Sequence, residues 1–371
     1  MLLTGGAGFI GSHTADRLLA DGCAVRVLDS LEPPVHPKRL RPAYLDERIE
    51  FVQGDVRDEA ALLAALRGCD AVYHFAAFQD YLPIFSRFFD VNVTSTALIY
   101  ELIVREKLPV RKVIIASSQA TLGEGLYLDA NGQRVLPDIR PDEQLAKGIW
   151  EIQPPPGTRG PLTWQPTDET VANPQNQYGV SKLAEEMIAL NLGRRYSIPT
   201  VAMRYSIVQG PRQSFYNAYS GACRVFCLAF HQGAEPPIYE DGQQMRDFVN
   251  ILDVVEANVL VLHEDRADYQ AFNVGGDHAI MVMDFATIVA EVFGRSGYEP
   301  MPSGRYRFGD TRHICSDVSK LKALGWKPTR DVYQSVEAYK IWLEEADSIP
   351  DILKQCSKQM AALSVVREVK Q

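Results

Sequence analysis

The chain has 371 residues, enough for two packed domains, with 46% hydrophobic and 23% charged residues as in an ordinary soluble globular protein. Its 38 basic residues against 47 acidic ones leave a formal charge of −9, so it lacks the broad positive field that holds nucleic acid or anionic lipid, though not a local pocket for a diphosphate. No stretch approaches the roughly 18 apolar residues of a membrane helix, and the N-terminus enters a glycine-rich turn at once instead of a charged and then apolar leader.

Through the first two-thirds, short apolar runs alternate with helical periodicity, the pattern of parallel strands covered on both faces. Strands are predicted over 2–4, 24–29, 50–53, 71–75, 112–117 and 200–205, and helices over 10–20, 59–67, 91–106 and 178–196. In the last helix Val180, Leu183, Ala184, Met187 and Ile188 recur at i, i+3, i+4 spacing and predict its buried face. Residues 126–171 are proline-rich, carry Trp150 and Trp164 and show no periodicity, which predicts an insertion serving as a lid or wall, or as a dimer contact. Beyond Gly210 come smaller elements: one at 246–250, a helix over 253–264, a strand over 272–274, and helices over 283–293 and 333–346. The division expected is 1–205, then 206–346 with some segments returning to the first sheet, then a helical or frayed extension over 347–371. Cys23, Cys69, Cys223, Cys227, Cys315 and Cys356 lie scattered without a CxxC pair. They predict reduced, mostly buried thiols in a cytoplasmic protein without a metal site.

Between the first strand and first helix runs Thr4-Gly5-Gly6-Ala7-Gly8-Phe9-Ile10-Gly11. Gly5, Gly8 and Gly11 are spaced for a tight turn, close approach of backbone to a pyrophosphate, and close helix–strand packing. The helix N-terminus then offers N–H donors and a positive dipole. Alone, such a trio also fits a surface turn. The context completes it: Asp29 ends the second strand, where a carboxylate accepts from a ribose 2′-OH and repels a 2′-phosphate, favouring NAD over NADP. Gly54-Asp55-Val56 ends the third strand, so that Asp55 either reaches an adenine amino group or closes a turn. Phe75-Ala76-Ala77 ends the fourth with small side chains, suited to backbone passing a cofactor and equally to an apolar strand end.

Tyr178 and Lys182 lie four residues apart, about one helical turn, and share a face. A phenol is a poor base near neutrality; a neighbouring ammonium favours the phenolate and makes it a usable general acid/base. The pair alone also fits a solvated helix face. Ser117-Ser118 raises the catalytic reading, because it sits at the C-terminal end of the fifth strand, the edge at which doubly wound sheets bind ligands.

These residues resemble the extended short-chain dehydrogenase/reductases, specifically NAD-dependent nucleotide-sugar epimerases and dehydratases, over about residues 1–345. The resemblance rests on TGGAGFIGSH at 4–13, the Asp29 strand end, GDVRD at 54–58, FAA at 75–77, ASSQATLGEG at 116–125 and YGVSK at 178–182. RY at 204–205, GPRQ at 210–213, RDFV at 246–249, RFGD at 307–310 and LGWKP at 324–328 extend it. It implies an α/β fold, a doubly wound parallel (Rossmann) sheet with a smaller C-terminal α/β substrate domain. It also implies bound NAD, a nucleotide-diphosphate sugar as substrate, and a homodimer formed by packing the Tyr178 helix and the helix before Ser118 into a four-helix bundle.

Carried over by position, the resemblance makes Ser118, Tyr178 and Lys182 the catalytic set. Tyr178 takes the sugar hydroxyl proton, Ser118 bonds the same oxygen, and Lys182 binds the nicotinamide ribose and steadies the phenolate. The implied cofactor positions are Gly5, Gly8, Phe9, Ile10, Gly11, Asp29, Asp55, Val56, Phe75, Ala76, Ala77, Asn92, Ser117, Tyr178, Lys182 and Tyr205. The implied substrate positions are Gln79, Ser118, Gln119, Asn217, Arg246, Arg307 and Asp310. The two arginines would grip the diphosphate, as suits a guanidinium fork, or else serve as surface ion-pair partners.

Departures from the family pattern narrow the reaction. Its 4,6-dehydratases place an Asp-Glu pair directly after the catalytic Ser or Thr, whereas Gln119 and Ala120 stand here, and elimination lacks its proton donor. Leu122 replaces a usual Tyr, and Ile207 replaces an Asn that helps position the sugar nucleotide. The expectation is an NAD-dependent epimerase acting at C4 through a transient 4-keto sugar. The alternatives are an oxidoreductase, a dehydratase-like enzyme or a C3/C5 epimerase using the same intermediate, or a non-catalytic dinucleotide-binding protein.

Overall fold

In the computed structural model, which describes residues 1–80, 83–217, 221–276, 278–346, 349 and 351–370, a seven-stranded sheet carries the N-terminal half. Its strands are β1 (Leu2–Thr4), β2 (Arg26–Asp29), β3 (Glu50–Gln53), β4 (Ala71–His74), β5 (Lys112–Ser118), β6 (Thr200–Tyr205) and β7 (Gln270–Val274). They lie in the order β7-β6-β5-β4-β1-β2-β3, every neighbouring pair parallel. The chain therefore works outward in one direction from β1 and in the other from β4, and the crevice beyond their C-terminal ends is where such a sheet binds ligands. Both faces are apolar because both are covered. Leu3, Val27, Tyr73, Ile114 and Met203 join one core with the Phe9–Ala20 and Ile251–His263 helices. Leu2, Leu28, Val72, Val113 and Ile115 join the other with the Glu59–Leu66, Ser95–Arg105 and Gln177–Tyr196 helices.

The Gln177–Tyr196 helix corrects the face read from periodicity. Its buried positions include Ser181, Lys182, Glu185, Glu186 and Ala189, while Val180 and Met187 stand 41% and 63% exposed. The inward polar groups have partners: Asn92 Nδ2 donates to Ser181 Oγ at 2.9 Å, Lys182 pairs with Glu185 at 2.8 Å, and Arg204 grips Glu186 at 2.7 Å. A hydrophobic period registers apolar side chains and is blind to polar ones that satisfy one another.

The second region surrounds an aromatic core of Phe226, Phe230, Phe248, Phe285 and Tyr339. Its central strand, Met245–Asn250, pairs with Ile207–Gln209, Ala279–Met281 and His313–Ile314. Residues 126–171 are ordered: Leu126–Leu128 pairs antiparallel with Arg134–Val135 and Thr163–Gln165. Buried ions pin this insertion down. Arg140, 2% exposed, donates to both oxygens of Glu240 at 2.8 and 3.0 Å and to the Asp310 carbonyl. Arg312 binds Glu240, Asp241 and Glu151. Glu240 holds a left-handed φ of 55° within this network, a conformation that a non-glycine residue keeps only when its surroundings enforce it.

The C-terminal extension is more than a helix or a frayed end. After Ile352–Ala362, the strand Val366–Glu368 pairs antiparallel with Arg305–Arg307. None of the six cysteines forms a disulfide among the described residues, and Cys23 alone among them is not buried.

Removing one partner of a buried ion pair strands the other charge, typically at a cost of about 3–5 kcal/mol. Arg140→Ala is therefore expected to destabilise the fold by about that amount in chemical denaturation, whereas Arg48→Ala, which breaks an exposed pair with Asp46, leaves the transition in place. Equal effects of the two substitutions would contradict the role given to the network.

Candidate active site

A cleft of about 820 Å³ opens between the C-terminal edge of the sheet and the second region, lined by both. The glycine loop forms its floor. Gly5 has φ +64°, and a Cβ there would stand 2.6 Å from Ala76 N, while one on Gly11 would stand 2.6 Å from Gly5 O. Loop, strand end and helix thus touch backbone to backbone. Gly8 is the N-cap of the Phe9–Ala20 helix and supplies no side chain to its first turn. The N–H groups of that turn remain for an anion, and Phe9, Ile10 and Gly11 line the cleft. The cradle fits the diphosphate of a dinucleotide.

Five expected cofactor positions lie behind the cleft surface rather than on it. Asp29 accepts from Ala7 N at 3.0 Å and Leu31 N at 2.9 Å, so its carboxylate clamps the glycine loop, and burial lifts its pKa. About two of its four acceptor sites remain. Asp55 is held by Arg57 at 2.6 Å, Val56 packs in the core with Leu28 and Leu62, and Ala76 is the backbone against which Gly5 rests. Asn92, in a π-helical turn, accepts from Phe78 N and donates to Phe78 O and Ser181, tying the loop after β4 to the Tyr178 helix. Phe75, Ala77, Ser117 and Tyr205 do line the cleft. The hydroxyls of the last two point elsewhere, Ser117 to Glu186 at 2.7 Å and Tyr205 to Asn258 at 2.6 Å.

Ser118, Tyr178 and Lys182 come together on the cleft wall. Ser118 ends β5 and accepts from Ala120 N at 3.1 Å, which leaves its own proton to donate outward. Asn176 caps the Gln177–Tyr196 helix by accepting from Gly179 N at 2.8 Å. A Cβ at Gly179 would meet Ala120 O at 2.5 Å. Glycine there lets the helix start rest on the turn after Ser118, and this contact sets Ser118 and Tyr178 side by side. The Tyr178 hydroxyl has no partner among the described residues, while Phe88 meets its ring edge-on at 6.5 Å. Lys182, 1% exposed, donates to Ala116 O at 2.7 Å and Glu185 Oε2 at 2.8 Å. One of its three ammonium hydrogens is left over.

On the substrate side, Gln79, Gln119, Asn217, Arg246, Arg307 and Asp310 all line the cleft. The Gln119 amide is already engaged, donating to Asp247 and, at 2.8 Å, to Ser316. Burial pushes Asp247 up to about 6. Arg246 donates to the carbonyls of Thr311, Arg312 and Met245. Arg307 bonds Asp310 at 2.6 Å and lies 5.1 Å over the Tyr239 ring. Residues 126–171 supply none of the described lining; through Glu151 the insertion instead holds the Arg312 loop. The extension does line it, through Leu353, Cys356, Met360, Leu363 and Val365. Sequence reasoning missed these residues, Tyr239 and Glu185; only Glu185 carried a signal, its i+3 spacing from Lys182.

The model of the NAD dependent epimerase/dehydratase family matches residues 1–142 and 153–275. The chain is 34% identical over 353 residues to dTDP-L-rhamnose 4-epimerase of Burkholderia thailandensis, covering 93% of this chain and 95% of that one. Among solved structures it is similar to UDP-glucose 4-epimerase of Thermotoga maritima with UDP-glucose, at TM-score 0.74, 26% identity and coverage of 93% and 98%. It is also similar to UDP-glucose 4-epimerase of Thermus thermophilus in complex with NAD, at TM-score 0.72, 25% identity and coverage of 93% and 99%.

Because a methyl group at position 11 would collide with backbone, Gly11→Ala is expected to weaken NAD binding at least tenfold, about 1.4 kcal/mol, by calorimetry on the folded variant. Unchanged affinity would show that the loop does not carry the cofactor.

Proposed function

The chain belongs to the NAD dependent epimerase/dehydratase family, and from that membership we propose that it is a nucleotide-sugar epimerase acting at C4. The observation that carries the reading is the meeting of Ser118, Tyr178 and Lys182 in one cleft with the glycine loop and with Arg246 and Arg307. Bound NAD supplies a reversible acceptor for the hydrogen on the sugar's C4. The residues of the chain do the rest. Tyr178 takes the proton of the C4 hydroxyl and later returns it, so the cycle needs no outside base. Ser118 donates to the same oxygen and holds it against Tyr178. Lys182 brings positive charge to the phenolate side. Arg307, steadied by Asp310 and Tyr239, and Arg246 meet the diphosphate. The sugar turns between proton removal and return while the nucleotide half stays held.

Elimination chemistry is disfavoured, since Gln119 and Ala120 carry no acid and Asp247, which receives the Gln119 amide, does not line the cleft. The 34% identity to an enzyme named for a dTDP-linked sugar makes dTDP-6-deoxyhexoses the first substrates to try. We further propose a homodimer through the Ser95–Arg105 and Gln177–Tyr196 helices. Val104, Val180 and Met187 are 37%, 41% and 63% exposed there, and a second copy would cover them. No helix among the described residues is long and apolar enough to cross a membrane. Cysteines without disulfides suit a cytoplasmic setting.

Incubation with dTDP-, UDP-, GDP- and CDP-sugars is expected to yield the 4-epimer by NMR without net NADH; accumulating NADH, or loss of water from the sugar, would overturn the assignment. Tyr178→Phe should lower kcat by about 10²–10⁴ while NAD stays bound, and retained turnover would reject the mechanism. Met187→Asp should give monomers in sedimentation where the parent chain gives dimers. A monomeric parent would refute the interface.

A further inference from the structure

Beneath the candidate catalytic pair lies a carboxyl that the mechanism above does not use. Glu185 is fully buried, one turn on from Lys182. Its Oε2 accepts from Lys182 Nζ at 2.8 Å, and its Oε1, equally buried, has no hydrogen-bond partner among the described residues. A carboxylate desolvated in this way is costly unless fully paired, and here only one oxygen is. The surroundings offer little else. On the same helix, Glu186 is taken up by Arg204 of β6 and Ser117 of β5. From the Ser95–Arg105 helix, the Tyr100 hydroxyl is bonded to Thr200 at 2.8 Å. From β4, His74 is fixed between Thr4 and Ser95, and burial drops its pKa to about 3, which keeps it neutral. Among the described residues, Lys182 is therefore the one cation that Glu185 touches.

We infer that Glu185 is a positioning residue acting through Lys182: charged, it draws the ammonium toward itself and offsets the positive charge acting on Tyr178, and protonated, it releases that charge to the phenol. The inference rests on reading Tyr178 and Lys182 as the acid–base pair. A carboxylate 2.8 Å from the ammonium turns a point charge into a dipole, whose field at the phenol is far weaker. Burial also pushes Glu185 up to about 7, so its charge changes within the ordinary working range. Protonation of the free Oε1 would remove the buried negative charge and leave Lys182 to serve Tyr178 and the ribose.

The sign follows. Removing the carboxylate leaves the ammonium unopposed and favours phenolate, so Glu185→Gln should move the acid limb of the pH–kcat profile down by about one unit. The phenolate absorbance that disappears in Tyr178→Phe should move by the same amount. That titration needs no sugar, so it stays readable if the substrate assignment fails, whereas a chain with no Tyr178-dependent absorbance change would refute the acid–base reading itself. Glu185→Leu deletes the same charge without an amide, and either charge-deleting variant that retains NAD and its thermal transition gives the reading. Glu185→Asp keeps the charge and should stay near the parent profile. An unmoved limb and absorbance in a folded charge-deleted variant, or an equal shift in Glu185→Asp, would overturn the inference.

Discussion

The buried junction between Glu186 and Arg204 sets the rotation of the Tyr178 helix, and the geometry of the cleft follows from it. Arg204 of β6 donates from Nε at 2.9 Å and from Nη2 at 2.7 Å, and Ser117 of β5 adds a third bond. Such a pair gives little net stability, because desolvation offsets most of the Coulomb gain. Its effect is on uniqueness. A rotation of the helix by one residue, about 100°, would leave a carboxylate and a guanidinium buried without each other, which costs far more than an apolar mismatch. The register that avoids this turns Ser181, Lys182 and Glu185 inward and leaves Val180 and Met187 outward. The face bearing the candidate catalytic residues and the proposed dimer face are two consequences of one polar contact.

A second ionic junction does comparable work across the cleft. Arg312 and Arg140 share Glu240, one arginine from the loop leading into His313–Ile314 and the other from the insertion. The carbonyls of Thr311 and Arg312 in turn receive Arg246. The Arg246 guanidinium, which lines the cleft, is thus oriented by backbone that the insertion contacts from outside the described cleft lining. Arg307 is steadied differently, by Asp310, by Tyr239 and by a strand pairing with the extension. A site organised for a diphosphate needs its arginines preorganised, since each otherwise loses side-chain entropy on binding.

Most of the sheet was legible because buried parallel strands are runs of apolar residues, and Val113, Ile114 and Ile115 announce β5 without ambiguity. The glycine loop was legible for another reason: contacts such as Gly11 against Gly5 O tolerate no side chain, and sequence records that directly. Asp29 ends β2 as the sequence placed it, but its use as a clamp on Ala7 was not visible, since a strand-end carboxylate reads the same whichever donor it meets. The inner face of the Tyr178 helix was misread because Ser181 and Glu186 are buried by pairing with Asn92, Ser117 and Arg204 on other elements, while Glu185 is buried by pairing with Lys182 on the helix itself. The extension was expected, but its place at the cleft was missed because Leu353, Met360 and Val365 gain their meaning only once they rest on the Phe226 core.

The Gln119 position shows how the fold and the reaction restrict each other. Its amide, buried beneath the cleft, joins the turn after β5 to Asp247 and to Ser316, and so links the cofactor half to the substrate half. Asp247 is itself fully buried, with one oxygen unpartnered and its pKa already raised by desolvation. A carboxylic acid in place of Gln119 would set two carboxyls against each other without water between them. Only one of them would ionise at neutral pH, and the amide donation that joins the halves would be lost. Introducing an acid for elimination at this point would therefore require a different residue at 247. The same buried bond thus both joins the two sides of the cleft and keeps an acid out of the position directly after Ser118.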